Sequence, residues 1–262
     1  MTEPEAGSAA RRATIGWIKP GAVDATITRL LELLPDRVDV SVLTTLWSLS
    51  MTNRDRFDAE AFDAKRPEIL EAARGLVEYG PIDVLAVTGD LLLGAMGPAW
   101  NEEVRQAVER EIATPTVTGM TAVTDALRHL GATRIAIASP YSDEKTQHLR
   151  GYLEASGFEV VAAIGHPNVS GKAFKRLPPD EPYVTAIRAM EAAPDADVLY
   201  LPSPAWNSTA YVERIERERG VPVVTMKGSM VWSCLTRIDW PEGRPGYGRL
   251  LAEIGTATPP TS

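Results

Sequence analysis

Short apolar runs rich in β-branched residues alternate along this chain with longer stretches whose apolar positions recur every three or four residues. That alternation is the mark of parallel strands flanked by helices. The predicted strands are Thr14–Ile18, Val38–Leu43, Val84–Thr88, Arg134–Ala138, Glu159–Ala163, Val198–Leu201 and Val221–Thr225. Several are almost continuous in apolar residues, as expected of strands covered on both faces. Helical period is clearest over Lys65–Glu78, where Ile69, Leu70, Ala73 and Leu76 form one stripe. A second helix over Thr121–Leu130 stops at Gly131, and a third, capped by Ser142 or Asp143, runs through Leu149, Tyr152 and Leu153 to Gly157.

A unit of strand, helix, strand and small-residue loop occurs twice, from Thr14 to Asp90 and from Arg134 to Pro204. The expected fold is therefore α/β, with two similar lobes, each a parallel sheet flanked by helices, and a cleft between them. The first lobe would take residues 13–119, completed by the C-terminal segment 226–255, and the second 120–225. Ligands of open α/β sheets sit beyond the carboxyl ends of the strands, which singles out the loops Thr88–Leu91 and Pro202–Ala205. The ends, residues 1–12 and Thr256–Ser262, are polar and small and are expected to fray.

Composition narrows the function class. A net charge of −8, without a basic cluster, argues against nucleic-acid or anionic-membrane partners. Cys234 is the one cysteine, so neither a disulfide framework nor a thiolate metal cluster is expected, and a reducing cytoplasm is the default compartment. There is no GxGxxG after a strand and no GxxxxGK[ST], and a single Cys cannot form a zinc site, so neither a cofactor nor a metal is expected. The expected partner is a small-molecule substrate.

In the first loop, Val87-Thr-Gly-Asp90 ends an apolar strand in a hydroxyl, a glycine and a carboxylate. The glycine permits close backbone approach, and amides near a helix start can hold an anion; the bland alternative makes Asp90 a surface cap. In the second, Leu201-Pro-Ser-Pro-Ala-Trp206 freezes Ser203 between two prolines. Ser203 would need a base to act as a nucleophile. Of the three histidines only His166, in His166-Pro-Asn-Val-Ser-Gly171, lies in a loop-like segment suited to a site. Trp17, Trp47 and Trp206 are placed to wall the cleft or to fill the core. Cys234, among apolar neighbours, reads as a buried structural thiol.

The chain resembles the aspartate/glutamate racemase superfamily, and within it the branch of arylmalonate decarboxylases and maleate cis-trans isomerases. The resemblance is carried by Thr14-Ile-Gly-Trp-Ile-Lys-Pro20, Val84-Leu-Ala-Val-Thr-Gly-Asp90, Gly97-Pro-Ala-Trp-Asn101, Ser139-Pro-Tyr-Ser-Asp143, Gly220-Val-Pro-Val-Val224 and Arg244-Pro-Gly-Tyr-Gly-Arg-Leu250, in that order. It implies cofactor-free chemistry beside a carboxylate or carbonyl, and it allows a homo-oligomer. In racemases and isomerases of this superfamily a cysteine from each lobe serves as acid, base or nucleophile, and the decarboxylases keep only the second. By the resemblance Gly89 takes the first position and Ser203 the second, so both thiols are absent. Tyr141 matches the tyrosine of the carboxylate pocket, while the hydroxyl and backbone donor positions read Asp90 and Leu91. A serine hydroxyl is a far weaker acid than a thiol, so the chemistry is expected to shift. The leading expectation is a hydrolase-like enzyme with Asp90 as base or as a carboxyl kept protonated by burial, Ser203 and Tyr141 as hydrogen-bonding partners, and Thr88, Gly89, Leu91 and Pro204 around the substrate. The alternatives are decarboxylation or isomerisation of malonate- or maleate-type acids, and a binding protein that has lost its chemistry.

Overall fold

The computed structural model describes residues 11–21, 23–45, 59–166 and 176–256. Trp47, residues 167–171 of the His166 loop, and the predicted frayed ends at 1–10 and 257–262 lie outside the described residues.

Two four-stranded parallel sheets make up the fold, an α/β architecture with helices flanking each sheet. The first has the order β2-β1-β3-β4, from β1 (Ala13–Pro20), β2 (Val38–Thr45), β3 (Val84–Val87) and β4 (Thr116–Thr118). The second repeats that order as β6-β5-β7-β8, from β5 (Arg134–Ala138), β6 (Glu159–Ile164), β7 (Val198–Leu201) and β8 (Val223–Thr225). Seven strands fall where the apolar runs predict them. β4 is the addition: three residues, two of them threonine, are too short and too polar to register as a run. β3 and β7 are buried at every residue, as strands covered on both faces must be.

The helices are α1 (Ala25–Leu31), α2 (Ala59–Asp63), α3 (Arg66–Tyr79), α4 (Asp90–Met96), α5 (Pro98–Ile112) and α6 (Gly119–His129) in the first half. They continue with α7 (Asp143–Ala155), α8 (Glu181–Ala192), α9 (Val212–Arg219), α10 (Met226–Arg237) and α11 (Arg249–Ala252). The stripe predicted on α3 is corrected at one place, since Ala72 is buried with Ile69, Ala73 and Leu76 while Leu70 is only partly covered. Ser142 is the cap of α7, its hydroxyl accepting from the Lys145 N–H at 3.4 Å. No helix among the described residues is long and apolar enough to cross a membrane.

The two halves are not separate bodies of core. α6 follows β4 and α10 follows β8, each capped by a threonine, Thr118 accepting from Thr121 N–H and Thr225 from Gly228 N–H. These two helices pack on each other and bring Met120, Val123 and Leu127 into one apolar cluster with Met226, Met230 and Trp232. Burying such side chains stabilises by about 1.5–3 kcal/mol each, so the junction contributes heavily to folding. The chain end ties back to the first half through Arg37 with Glu242 at 2.6 Å and Arg244 to the Leu33 carbonyl at 3.1 Å. Sharing a core in this way holds the carboxyl ends of the two sheets in a fixed relation.

Candidate functional site

β3 ends at Val87, and Thr88 is held back against β1, its N–H and hydroxyl both donating to the Ile18 carbonyl at 3.0 and 3.1 Å. Gly89 then turns at φ 129°, a conformation that side chains resist, and starts α4. Asp90 is the first residue of that helix and is 3% exposed, so the surface-cap reading is wrong. The turn aims its carboxyl across the molecule toward the second sheet.

Two groups from the second half meet it there. The Ser203 N–H donates to Asp90 Oδ2 at 2.6 Å, and the Tyr141 hydroxyl donates to Oδ1 at 3.1 Å. The Ser203 hydroxyl also hydrogen-bonds the Tyr141 phenol. Ser203, between two prolines, has φ 70°, a left-handed conformation costing a non-glycine residue roughly 1 kcal/mol. That geometry turns its N–H onto the carboxyl. Asp90, Tyr141 and Ser203, the three residues expected to carry chemistry, thus form one buried cluster contributed by both sheets.

Burial pushes the Asp90 carboxyl above the ordinary carboxylate range, against the downward pull of the N–H groups of Ser203 and Leu91 and of the Tyr141 hydroxyl. Burial, and then the Asp90 charge, raise Tyr141 well above an ordinary phenol, so it remains a donor through neutral pH. A buried carboxyl that resists ionisation has the chemistry to hold and pass on a proton. Among the described residues no group of three or more His, Cys, Asp or Glu side chains comes together that could hold a metal ion.

The remaining expected site residues divide. Gly89 and Pro204 flank the cluster in sequence, and Leu91, partly buried, packs on the shared core. Thr88 donates its hydroxyl proton to the Ile18 carbonyl. Trp17 is 1% exposed within the shared core and Trp206 5% exposed in the second-sheet core, both with indole N–H groups that have no partner. His166 does not reach the cluster with its ring, which faces Thr185 and Glu181 at 3.2 and 3.5 Å. Its backbone instead donates to the Tyr141 carbonyl at 2.7 Å, making it a support for the tyrosine. Cys234 is fully buried in α10, with its thiol pushed up to about 12 by burial, and it takes no part in the site.

One buried charged group escaped the sequence reading. Lys227, the second residue of α10, is 2% exposed and its amine has no hydrogen-bond partner. The available signal was a charged residue opening an otherwise apolar and small run, Met226–Leu235.

The arylmalonate decarboxylase family profile matches residues 48–251. The arylmalonate decarboxylase of Bordetella bronchiseptica is 28% identical over 241 residues, 92% of this chain and 97% of the relative. The maleate isomerase of Nocardia farcinica is 28% identical over 197 residues, 73% of this chain and 74% of the relative. A crystal structure of arylmalonate decarboxylase superposes with a TM-score of 0.76 at 29% identity, covering 92% of this chain and 99% of that one. With its fold, its motifs and most of its length matched, this chain belongs to the arylmalonate decarboxylase family.

Proposed function

We propose that this protein is a cofactor-independent enzyme that removes carbon dioxide from a malonate-type acid, with the Asp90 carboxyl as proton carrier. The observation that carries the reading is the Asp90 carboxyl itself, buried where the two sheets meet and hydrogen-bonded by Ser203 and Tyr141. The named relatives are a decarboxylase and an isomerase, which favours this chemistry over hydrolysis. Hydrolysis by an Asp90-activated water also needs the ionised carboxylate, the form that burial opposes.

For decarboxylation, the bond between the α-carbon and one carboxylate breaks, carbon dioxide leaves, and the electron pair stays as an enediolate on the remaining carboxylate. The Tyr141 hydroxyl and Ser203 N–H are the donors placed to hold that charge. Protonated Asp90 gives its proton to the α-carbon and regains one from water, so each turnover consumes one proton. Tyr141 stays protonated throughout, while Ser203 steadies its phenol. Asp90 must carry its proton when substrate binds, because two ionised carboxylates side by side in a buried site repel.

Proton NMR of the protein in deuterated buffer with aryl- and alkylmalonates and with maleate tests the proposal. Loss of carbon dioxide with deuterium at the α-carbon is the expected result, and conversion of maleate to fumarate instead would overturn the decarboxylation step. Amide or ester cleavage with all acids untouched would replace the proposal with hydrolysis.

A further inference from the structure

Tyr141 meets Asp90 from a short stretch between β5 and α7 whose backbone is tied down at both of its polar atoms. Its N–H donates to the Ser139 hydroxyl at 3.1 Å, and its carbonyl accepts the His166 N–H at 2.7 Å. Ser139 is anchored in turn by its own N–H, which donates to the Ile164 carbonyl at the end of β6 at 2.8 Å. His166 lies two residues beyond Ile164, so the chain leaving β6 holds one side of the tyrosine in place.

The His166 side chain is committed to a separate element. Its Nε2 lies 3.2 Å from Thr185 Oγ1 and 3.5 Å from Glu181 Oε1, both on α8. Thr185 is fully buried, and its hydroxyl donates to Glu181 Oε1 at 3.0 Å. With that proton spent, the Thr185 oxygen is left to accept, which assigns the Nε2 proton to His166. A chain of contacts therefore runs from the first two turns of α8 through the His166 ring and backbone to the Tyr141 carbonyl. It ends where the Tyr141 hydroxyl donates to Asp90 Oδ1 at 3.1 Å. The link has little slack, since a Cβ at the neighbouring Gly165 would stand 2.9 Å from both the Tyr141 carbonyl oxygen and Asp143 Oδ1.

We propose that His166 is a positioning residue for the reaction: its ring, held by Thr185 and Glu181, fixes the Tyr141 backbone and thereby the hydrogen bond from the Tyr141 hydroxyl to Asp90. This role rests on the reading of Asp90 as the proton carrier. Its consequence differs from general damage to the fold. The Tyr141 hydroxyl pulls Asp90 downward against burial. Letting the phenol swing away removes a donor to the ionised carboxylate, so Asp90 holds its proton to higher pH. The Tyr141 and Tyr200 phenols, the titratable groups that feel the Asp90 charge, are both raised by burial well above an ordinary phenol and stay uncharged over that range.

Carboxyl-carbon NMR of the whole protein with isotopically labelled aspartate, the Asp90 signal assigned through Asp90→Asn, reads the Asp90 midpoint without requiring turnover. His166→Ala keeps the backbone N–H and removes the ring; it is expected to raise the midpoint by about half a pH unit or more. Thr185→Val, which removes the accepting oxygen, should move it in the same direction. His166→Gln, whose side-chain amide can donate to Thr185, should restore the wild-type midpoint, and the alkaline limb of kcat/KM on a malonate should follow the midpoint in each variant. An unchanged midpoint in folded His166→Ala, or a midpoint as high in His166→Gln as in His166→Ala, would overturn the proposal. Where His166→Ala fails to fold, an unchanged midpoint in Thr185→Val overturns it instead. Shifted midpoints in a protein that decarboxylates no malonate keep the positioning of Tyr141 and lose the proton-carrier reading.

Discussion

Replacing Asp90 separates its chemical role from its structural one. The carboxyl satisfies two buried donors, the Ser203 N–H at 2.6 Å and the Tyr141 hydroxyl at 3.1 Å. Asp90→Ala orphans both, and each unpaired buried donor costs about 1–3 kcal/mol, so this variant should lose roughly 2–6 kcal/mol of stability along with its activity. Asp90→Asn keeps the shape: the amide oxygen accepts from Ser203, and the amide nitrogen faces the Tyr141 oxygen, which can turn its own proton toward Ser203. It lacks only the transferable proton, and turnover should fall by about 10²–10⁴-fold, the usual contribution of a general acid. Stability should respond to pH with a definite sign. Because burial raises the folded-state pKa of Asp90, the folded protein holds its proton more tightly than the unfolded chain. Below the unfolded carboxylate pKa the wild type bears no penalty. Between the unfolded and folded values it loses about 1.4 kcal/mol per pH unit relative to Asp90→Asn, and beyond the folded value the gap is constant. Urea unfolding of both proteins from pH 4 to pH 9, with activity measured on the same samples, checks each part. Wild-type turnover in Asp90→Asn would refute the proton-carrier role, and a stability gap that does not widen with pH would refute the raised pKa.

Further outcomes follow from the same geometry. kcat/KM should fall as pH rises through the raised Asp90 pKa, with no second loss from Tyr141 below pH 10, as a pH–rate profile would show. Gly165→Ala should lower turnover more than stability, because a Cβ there would stand 2.9 Å from the Tyr141 carbonyl oxygen and 2.8 Å from Thr146 Oγ1; paired melting and rate measurements decide. Ser203→Gly should gain roughly 1 kcal/mol in urea unfolding by relieving the φ of 70°, at the expense of the hydroxyl that steadies Tyr141. Lys227→Met should stabilise the ligand-free protein at pH 7 by on the order of 3 kcal/mol, from an amine lowered from 10.5 to about 8. That gain is constant below about 8, shrinks as pH rises toward 10.5 and vanishes above it, which unfolding at pH 7 and pH 11 would show.

What the sequence reveals and what it hides divide along a physical line. Strand runs such as Val84–Val87 and Val198–Leu201 are local, and hydrophobicity alone marks them. Thr116–Thr118 is strand only because β3 lies beside it, so nothing local marks it. The prolines around Ser203 announce a rigid backbone, but not that its N–H would meet a carboxylate 113 residues earlier in the chain. Tryptophans are ambiguous for the same reason: Trp17 faces the shared core, whereas Trp100 turns toward Phe62, Arg66 and Asp63. The resemblance placed Asp90, Tyr141 and Ser203 in one pocket, yet only the fold shows that the pocket's donors are occupied by the chain's own carboxyl.

That occupation bears on how the site can take up an acid. Tyr141 and the Ser203 N–H hold Asp90 in the absence of substrate, so an incoming carboxylate must compete for those donors or share them. Sharing is electrostatically feasible only while Asp90 is protonated, and burial favours that form. Under the proposed mechanism the proton on Asp90 depends on burial, which holds the carboxyl above its ordinary range. Opening the site to solvent should remove that effect. A polar substitution that admits water beside Asp90 should lower the pH at which activity is lost even if the cluster itself is untouched.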